Sequence, residues 1–443
     1  MKDLPHVPSR KIFANSKRIL QNPLPFHREN FEKLGDTFRI SIPGEGKVIF
    51  SRDPDWVKQI LQKQHRSFEK SKLQTKDLAK YIGKGLLTAE GEHWRKHRRM
   101  IQPAFNASHV QRLLPIIQTT IQKEVGKLKQ DVPQDAHGLM GDLAFQVVAK
   151  SLFSKSDIGK TMHRLKEITE INQNMLVREM RRPYLTWWFD LTGQTRKHLN
   201  FSKEAQDLLN ALIEKRSGDG VGEKDLLDLL LSSTYEDGTP ISRGQLIDEV
   251  MILFTAGHET TANALAFTLY FIAQDEKLQQ RLAEEVETFY ASDSLQNLSK
   301  MEWTIATIKE AMRIFPPVYV IDRVSSEKVE VAGTVLEKGT LVLLSIYELH
   351  RTATFWEEPE MFEPERFLKK DMKRLGGYYY PFGAGPRMCI GNTFAHFEMV
   401  LAIAEILKRY TISTPMDSVD INPLITLKPK EVKLVFSDRW SGI

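Results

Sequence analysis

The chain has 443 residues, 41% of them hydrophobic and 27% charged, enough apolar content to bury a large core. A net charge of +5 is small for this length and speaks against a nucleic-acid binder or a disordered chain. A single cysteine rules out an internal disulfide and any zinc site of several thiolates, and points to a reducing compartment, the cytoplasm.

The opening residues, MKDLPHVPSRKIFANSKRIL, mix charges with prolines. They contain no apolar run of signal-peptide or membrane-anchor length, so residues 1–22 are expected to be an extended lead-in. Residues 37–51 alternate around Glu45-Gly46 and predict a β-hairpin, and Asp53 to about Lys63 reads as a helix. From about 91 to 314 apolar residues recur at three and four, the helical period. One glycine-rich break, 218–224, interrupts the pattern. No strand precedes it, which argues against a nucleotide-binding loop.

The longest apolar helix in that region runs from Glu249 to Gln274. His258, Glu259, Thr260 and Thr261 near its middle would be costly against lipid. The pattern predicts a buried central helix with a polar notch. Residues 318–346 change to short strand-like runs punctuated by Gly333 and Gly339. Residues 352–390 are aromatic, proline-rich and irregular, and long stretches of that kind in compact proteins are usually functional. Helix returns at about 391–409, and short strands close the chain. With no internal repeat, residues 1–443 read as one mainly α domain with small β-sheets.

The cysteine stands in the loop Phe382-Gly383-Ala384-Gly385-Pro386-Arg387-Met388-Cys389-Ile390-Gly391. Glycines at 383, 385 and 391 are expected to let the backbone turn tightly and come close to a flat ligand. A lone cysteine can supply one thiolate to one metal, and Arg387 can pair with an anion beside it. The economical reading is a haem iron held by Cys389, against the alternative of a buried, inert thiol.

The spacing F-x-x-G-x-R-x-C-x-G, met at Phe382, Gly385, Arg387, Cys389 and Gly391, resembles the signature of the cytochrome P-450 superfamily. Further segments resemble the family in order. Glu310-Ala311-Met312-Arg313 is similar to its E-x-x-R helix, and Pro364-Glu365-Arg366-Phe367 to its P-E-R-F segment. Spacing of three puts Glu310 and Arg313 on one helical face. The resemblance implies that Arg313 and Arg366 both fork onto the Glu310 carboxylate and lock the core beneath the haem. Trp94 and Arg98 resemble the W-x-x-x-R pair that holds a haem propionate, and Arg323 and Arg387 match two further propionate-pairing positions. Arg95, Lys96 and Arg99 on the same segment are expected at the surface, where they could face an acidic electron donor.

Ala256-Gly257-His258-Glu259-Thr260-Thr261 resembles the family's oxygen-activation motif. Activation of O2 needs two protons, which Thr260 and Glu259 are expected to deliver. The alternative is a helix kink with the threonine bonded to its own backbone. Gly257, costly inside a helix, is expected to admit a ligand. A zinc-protease reading fails because Ala262 stands where a second histidine is needed.

The resemblance implies the family fold, a triangular helical prism with a long central helix over haem b (iron protoporphyrin IX). It implies a monooxygenase of the unanchored bacterial type, a cytoplasmic monomer. Electrons would come indirectly from NAD(P)H through a ferredoxin or flavodoxin with its reductase, since no flavin or nicotinamide signature and no spare length for a reductase domain are present. By the same analogy the pocket includes Leu86, Leu87, Met175, Trp187, Trp188, Leu253, Ala256, Val318 and Val320. That lining suits a fatty acid, terpenoid or steroid, with Arg178, Arg181 and Arg182 either near a substrate carboxylate or on a solvated face. Competing readings are a peroxide-driven peroxygenase, a haem-thiolate isomerase and a non-catalytic haem sensor. The Glu259-Thr260 pair favours the monooxygenase.

Overall fold

A 32-residue helix, Arg243–Gln274, forms the axis around which the rest is arranged. It starts earlier than its apolar pattern predicts because Ser242 caps it: the hydroxyl accepts the Gln245 N–H at 3.3 Å. Its first turn is polar and therefore carries no periodic signal. The computed structural model describes residues 4–42, 46–154, 159–218, 225–292, 295–368 and 375–439.

The central helix packs most extensively on the helix Ala136–Leu152. Helices Gln194–Gly218, Glu276–Ala291, Glu302–Ile314 and Asn392–Arg409 also pack against it, and one continuous apolar core joins them. Gly218 ends its helix, and 219–224 lie outside the described residues.

A six-stranded sheet lies beside the helices. Its strand order is His6–Val7, Thr37–Ile42, Gly46–Ser51, Leu341–Ser345, Val320–Ser325, Phe68–Glu69. Thr37–Ile42 and Gly46–Ser51 form the expected hairpin, in the register Thr37↔Ser51 to Ile42↔Gly46; Glu45 lies outside the described residues. Gly333 and Gly339 take positive φ at the turns of the later strands. The predicted helix after Asp53 is present as Pro54–Lys58 and continues as a π-helix, Gln59–Lys63. Asp53 caps it by accepting the Asp55 N–H at 2.8 Å.

The expected extended lead-in is not what forms. After the short strand His6–Val7, residues Ser9–Ala14 and Ser16–Gln21 make two helices broken at Asn15. The prolines at 5 and 8 flank that strand and precede the helices, so they do not interrupt either helix. Among the described residues no helix is long and apolar enough to cross a membrane.

Candidate active site

The cysteine loop is built on two glycines. Gly383 and Gly385 have φ of +71° and +68°, which side-chain-bearing residues rarely adopt. A Cβ on Gly385 would also run into the carbonyl oxygen of Leu61. Gly391 differs from the expectation: its φ is −89°, and a Cβ there would meet nothing within 4 Å. Its small size leaves open space beside the loop rather than permitting a turn. The Cys389 N–H donates to the Phe382 carbonyl at 2.9 Å, closing the loop on itself.

The Cys389 side chain is accessible, yet protein encloses it on nearly every side. A residue that lines an internal cleft meets both descriptions. Burial pushes its thiol pKa up, while the Gly391 N–H and the Arg98 guanidinium pull it down. Arg98 reaches the same loop directly, donating from Nη1 to the Met388 carbonyl at 2.8 Å.

The central helix shows a matching opening. Residues 261–270 are continuously buried, but Ala256 is exposed and Leu253, Gly257 and Thr260 are half-buried. Positions 253, 256, 257 and 260 share one helical face. An accessible strip inside a buried helix means empty space against that face. Gly257 has a second reason to be glycine. A Cβ there would lie 3.2 Å from Val148 on the helix Ala136–Leu152, so close helix packing, as well as any ligand, disfavours a side chain.

Thr260 donates to the Ala256 carbonyl at 3.0 Å, the back-bonded arrangement, with its oxygen lone pairs left to accept. Glu259 is held firmly. It accepts from Thr426 Oγ1 at 2.8 Å and Gln173 Nε2 at 2.7 Å, with Lys428 Nζ at 3.9 Å. His258 is buried, with Nδ1 2.6 Å from the Phe254 carbonyl, and burial lowers its pKa.

A group of cations, Lys70 and Arg323 buried and Arg387 half-buried, adjoins the cysteine loop. Arg387 stacks 5.0 Å over the Trp94 ring, donates to the His65 carbonyl at 3.1 Å and pairs with Glu90. Its Nε is buried with no hydrogen-bond partner among the described residues. Arg323, 7% exposed, donates to its neighbour's backbone, the Asp322 carbonyl, at 2.7 Å. Burial, and then Arg387, lower its pKa to about 10. Lys70, also buried, is lowered to about 7, chiefly by burial. Sequence reasoning missed Lys70 and Glu90. Glu90 precedes the helix Gly91–Ile101 and reads there only as a cap, while Lys70 carries no motif at all.

Beneath this site Arg313 forks onto Glu310 at 2.7 and 2.8 Å, with both side chains fully buried. The remaining donors of Arg313 reach the carbonyls of His350, Pro359 and Met361. Arg366 does not form the second fork that was expected. Its Nε stands 3.5 Å from Glu310, and Nη2 pairs instead with Glu363 at 2.9 Å. The Glu363 N–H takes the place on Glu310 at 2.9 Å.

The family model for cytochrome P-450 matches residues 5–436. The chain belongs to the cytochrome P-450 family. It is 28% identical to human cytochrome P-450 4Z1, over 93% of this chain and 86% of that protein. It is 30% identical to cytochrome P-450 4V2 of Rattus norvegicus, over 76% and 70%. The haem domain of cytochrome P-450DA superposes with a TM-score of 0.83 at 23% identity, covering 94% of this chain and 93% of that one, and so shares the fold. Family membership makes the protein a haem-thiolate monooxygenase.

The residues present fit a haem. A flat dianionic group needs an accessible thiol, empty space against an apolar helix face, and cations with a donor to spare. Cys389, the strip from Leu253 to Thr260, and the Arg387–Arg323 group supply these.

The residues expected to line the pocket of this cytochrome P-450 differ in exposure. Leu86, Leu87 and Val320 are half-buried and Val318 is 38% exposed. Met175 is 1% exposed and packed in the main core, so it lines no open space. Trp187 and Trp188 are 61% and 45% exposed, because the short helix Thr186–Leu191 turns Phe189 inward instead. Arg178 packs over Phe189 and donates to Gln194 at 3.0 Å, while Arg182 is exposed. The solvated-face reading therefore suits Arg178 and Arg182 better than the carboxylate reading. Arg95 and Arg99 lie at the surface, paired with Glu92 and Glu236.

Proposed function

We propose that residues 1–443 form a single catalytic domain that hydroxylates or epoxidises an apolar substrate of the fatty-acid, terpenoid or steroid class. The observation that carries this reading is the accessible strip Leu253–Ala256–Gly257–Thr260, which stands beside the continuously buried residues 261–270 of the same helix as an apolar wall with one hydroxyl. When bound, the haem supplies reductive activation of O2, by which one oxygen atom enters the substrate and the other leaves as water.

Cys389 would supply the thiolate that holds the haem iron, its charge tempered by the Gly391 N–H and Arg98. Phe382, Gly383 and Gly391 shape the loop beside the porphyrin. Trp94, Arg98, Arg323 and Arg387 would hold the propionates, one of which would satisfy the idle Arg387 Nε. Thr260, able to accept and donate at one oxygen, hands protons on, and Glu259 renews them from its polar partners. Glu310, Arg313 and Arg366 hold the chain beneath the loop.

Electrons come from NAD(P)H through a ferredoxin or flavodoxin and its reductase, docking on the exposed face of Arg95, Lys96 and Arg99, where Glu92 and Glu236 would give up their arginines to the partner's acids. We place the protein in the cytoplasm, as a monomer. The test is product formation from a lipid and terpenoid panel under two regimes. Turnover with O2 and a reductase system supports the reading. Turnover with hydrogen peroxide alone, and none with O2, would make the protein a peroxygenase.

A further inference from the structure

The N-terminal third of the central helix carries two adjacent carboxylates that the proposed chemistry does not use. Both grip the backbone of one loop. Asp248 Oδ2 accepts the Lys84 N–H at 2.8 Å, and Glu249 Oε2 accepts the Leu86 N–H at 3.0 Å. Gln245, one turn earlier, donates to the Lys84 carbonyl at 2.6 Å. The loop is shaped for this grip. A Cβ on Gly83 would run into the Asp248 carboxylate, and one on Gly85 would lie 2.7 Å from the carboxylate of Glu249. Gly-Lys-Gly at 83–85 thus leaves room for two acids at two glycines.

Glu249 is 1% exposed, and a carboxylate so deeply placed must be compensated. The Leu86 N–H on Oε2 and Gln245 Nε2, 3.3 Å from Oε1, supply the compensation, and His97 packs beside the carboxylate. The His97 Nδ1 stands 2.9 Å from Glu249 Oε1, close but out of line for a hydrogen bond, and its Nε2 meets the Tyr235 hydroxyl at 3.1 Å. His97 neighbours Arg98 and lies on the same short helix as Trp94.

Helical geometry ties the grip to the open strip. Glu249, Leu253, Ala256 and Thr260 are spaced by four, three and four residues and so share one face. Seven residues from Glu249 to Ala256 advance about 10 Å along the axis. The loop carrying Leu86 and Leu87 is therefore fixed at one end of the strip, by a residue of the strip's own face.

We infer that Glu249, with Asp248 beside it, is a positioning residue that sets how large a molecule can occupy the space against Leu253, Ala256 and Thr260. The inference rests on the proposed haem site. Loss of the carboxylate frees the Leu86 N–H and lets the loop shift across the end of the strip.

The test uses ferric holoprotein and two nitrogen ligands of different size, imidazole and 4-phenylimidazole, titrated by their spectral shift. Parent, Glu249→Ala, Glu249→Gln and Gly85→Ala are compared. In Glu249→Ala and Gly85→Ala the ratio of the two dissociation constants should change about tenfold, with imidazole itself little affected. Glu249→Gln keeps an acceptor for the Leu86 N–H and should stay within about threefold of the parent ratio. Parent-like ratios in both Glu249→Ala and Gly85→Ala would overturn the inference. If the parent gives no imidazole spectrum at all, the haem reading has failed, and amide exchange at Leu86 in the apoprotein then decides the clamp. Faster exchange in Glu249→Ala would support it, and unchanged exchange would overturn it.

Discussion

Arg313 holds Glu310 with both arms of its guanidinium, at 2.7 and 2.8 Å, and neither side chain meets solvent. Its other donors reach three carbonyls, of His350, Pro359 and Met361, in the irregular segment that leads to the cysteine loop. The pair therefore joins a helix to a stretch with little regular structure of its own.

Removing one partner of such a buried pair costs about 3–5 kcal/mol, because the other charge is left without compensation. Glu310→Ala should accordingly lower the urea midpoint and the haem content of purified protein together. Arg366→Ala should cost clearly less, since Arg366 sits 3.5 Å from Glu310 and has Glu363 as its closer partner. Equal losses in the two variants would contradict the geometry.

Two glycines of the cysteine loop should behave in opposite ways. Gly385→Ala combines a positive φ with a collision against the Leu61 carbonyl, and should destabilise by more than about 2 kcal/mol. Gly391→Ala meets open space at an ordinary φ, and should leave apoprotein stability within about 0.5 kcal/mol. Its effect should appear in the haem spectrum instead. Chemical denaturation of the apoproteins separates the two.

The fold was legible wherever a local pattern reports a local element. The alternation across 37–51 and the apolar period of the central helix each act through neighbours in sequence, as does the positive φ at Gly385, though not its closeness to Leu61. The lead-in was misjudged because its prolines fall at a strand and a helix start, where they do no harm. Lys70, Glu90 and the weak role of Arg366 at Glu310 were not legible. Each depends on distances between segments remote in the chain, and no spacing records those. The exposed Trp187 and Trp188 follow the same rule: the helix Thr186–Leu191 could turn either face inward, and packing chose Phe189.

Acid should loosen the protein through buried histidines. Burial lowers the pKa of His350 to about 3 and those of His27 and His396 to about 4. Their folded values lie below the unfolded value of about 6.5, so the stabilisation is complete above that pH and is lost as pH falls below it. His350 Nε2 accepts the Tyr380 N–H at 2.8 Å, just before the cysteine loop, so its protonation also breaks a bond there. Urea midpoints should be flat from pH 8 to about 7 and fall steadily to about pH 4. His350→Gln should flatten part of that slope.

Thr260→Ala should keep haem and substrate-induced spectral shifts but lower the fraction of electrons that end in product. Glu259→Gln should enlarge the solvent deuterium isotope effect on turnover, since a carboxylate held by Thr426 and Gln173 would no longer supply the proton. Unchanged coupling and an unchanged isotope effect would place the proton route elsewhere.

The carbon monoxide difference spectrum of the reduced protein tests the central claim most directly. If Cys389 supplies its thiolate to the iron, the reduced carbon monoxide complex should show the strongly red-shifted Soret band of thiolate ligation, and Cys389→Ala should lose it. The same band surviving in Cys389→Ala, or a parent spectrum of histidine ligation, would contradict the account.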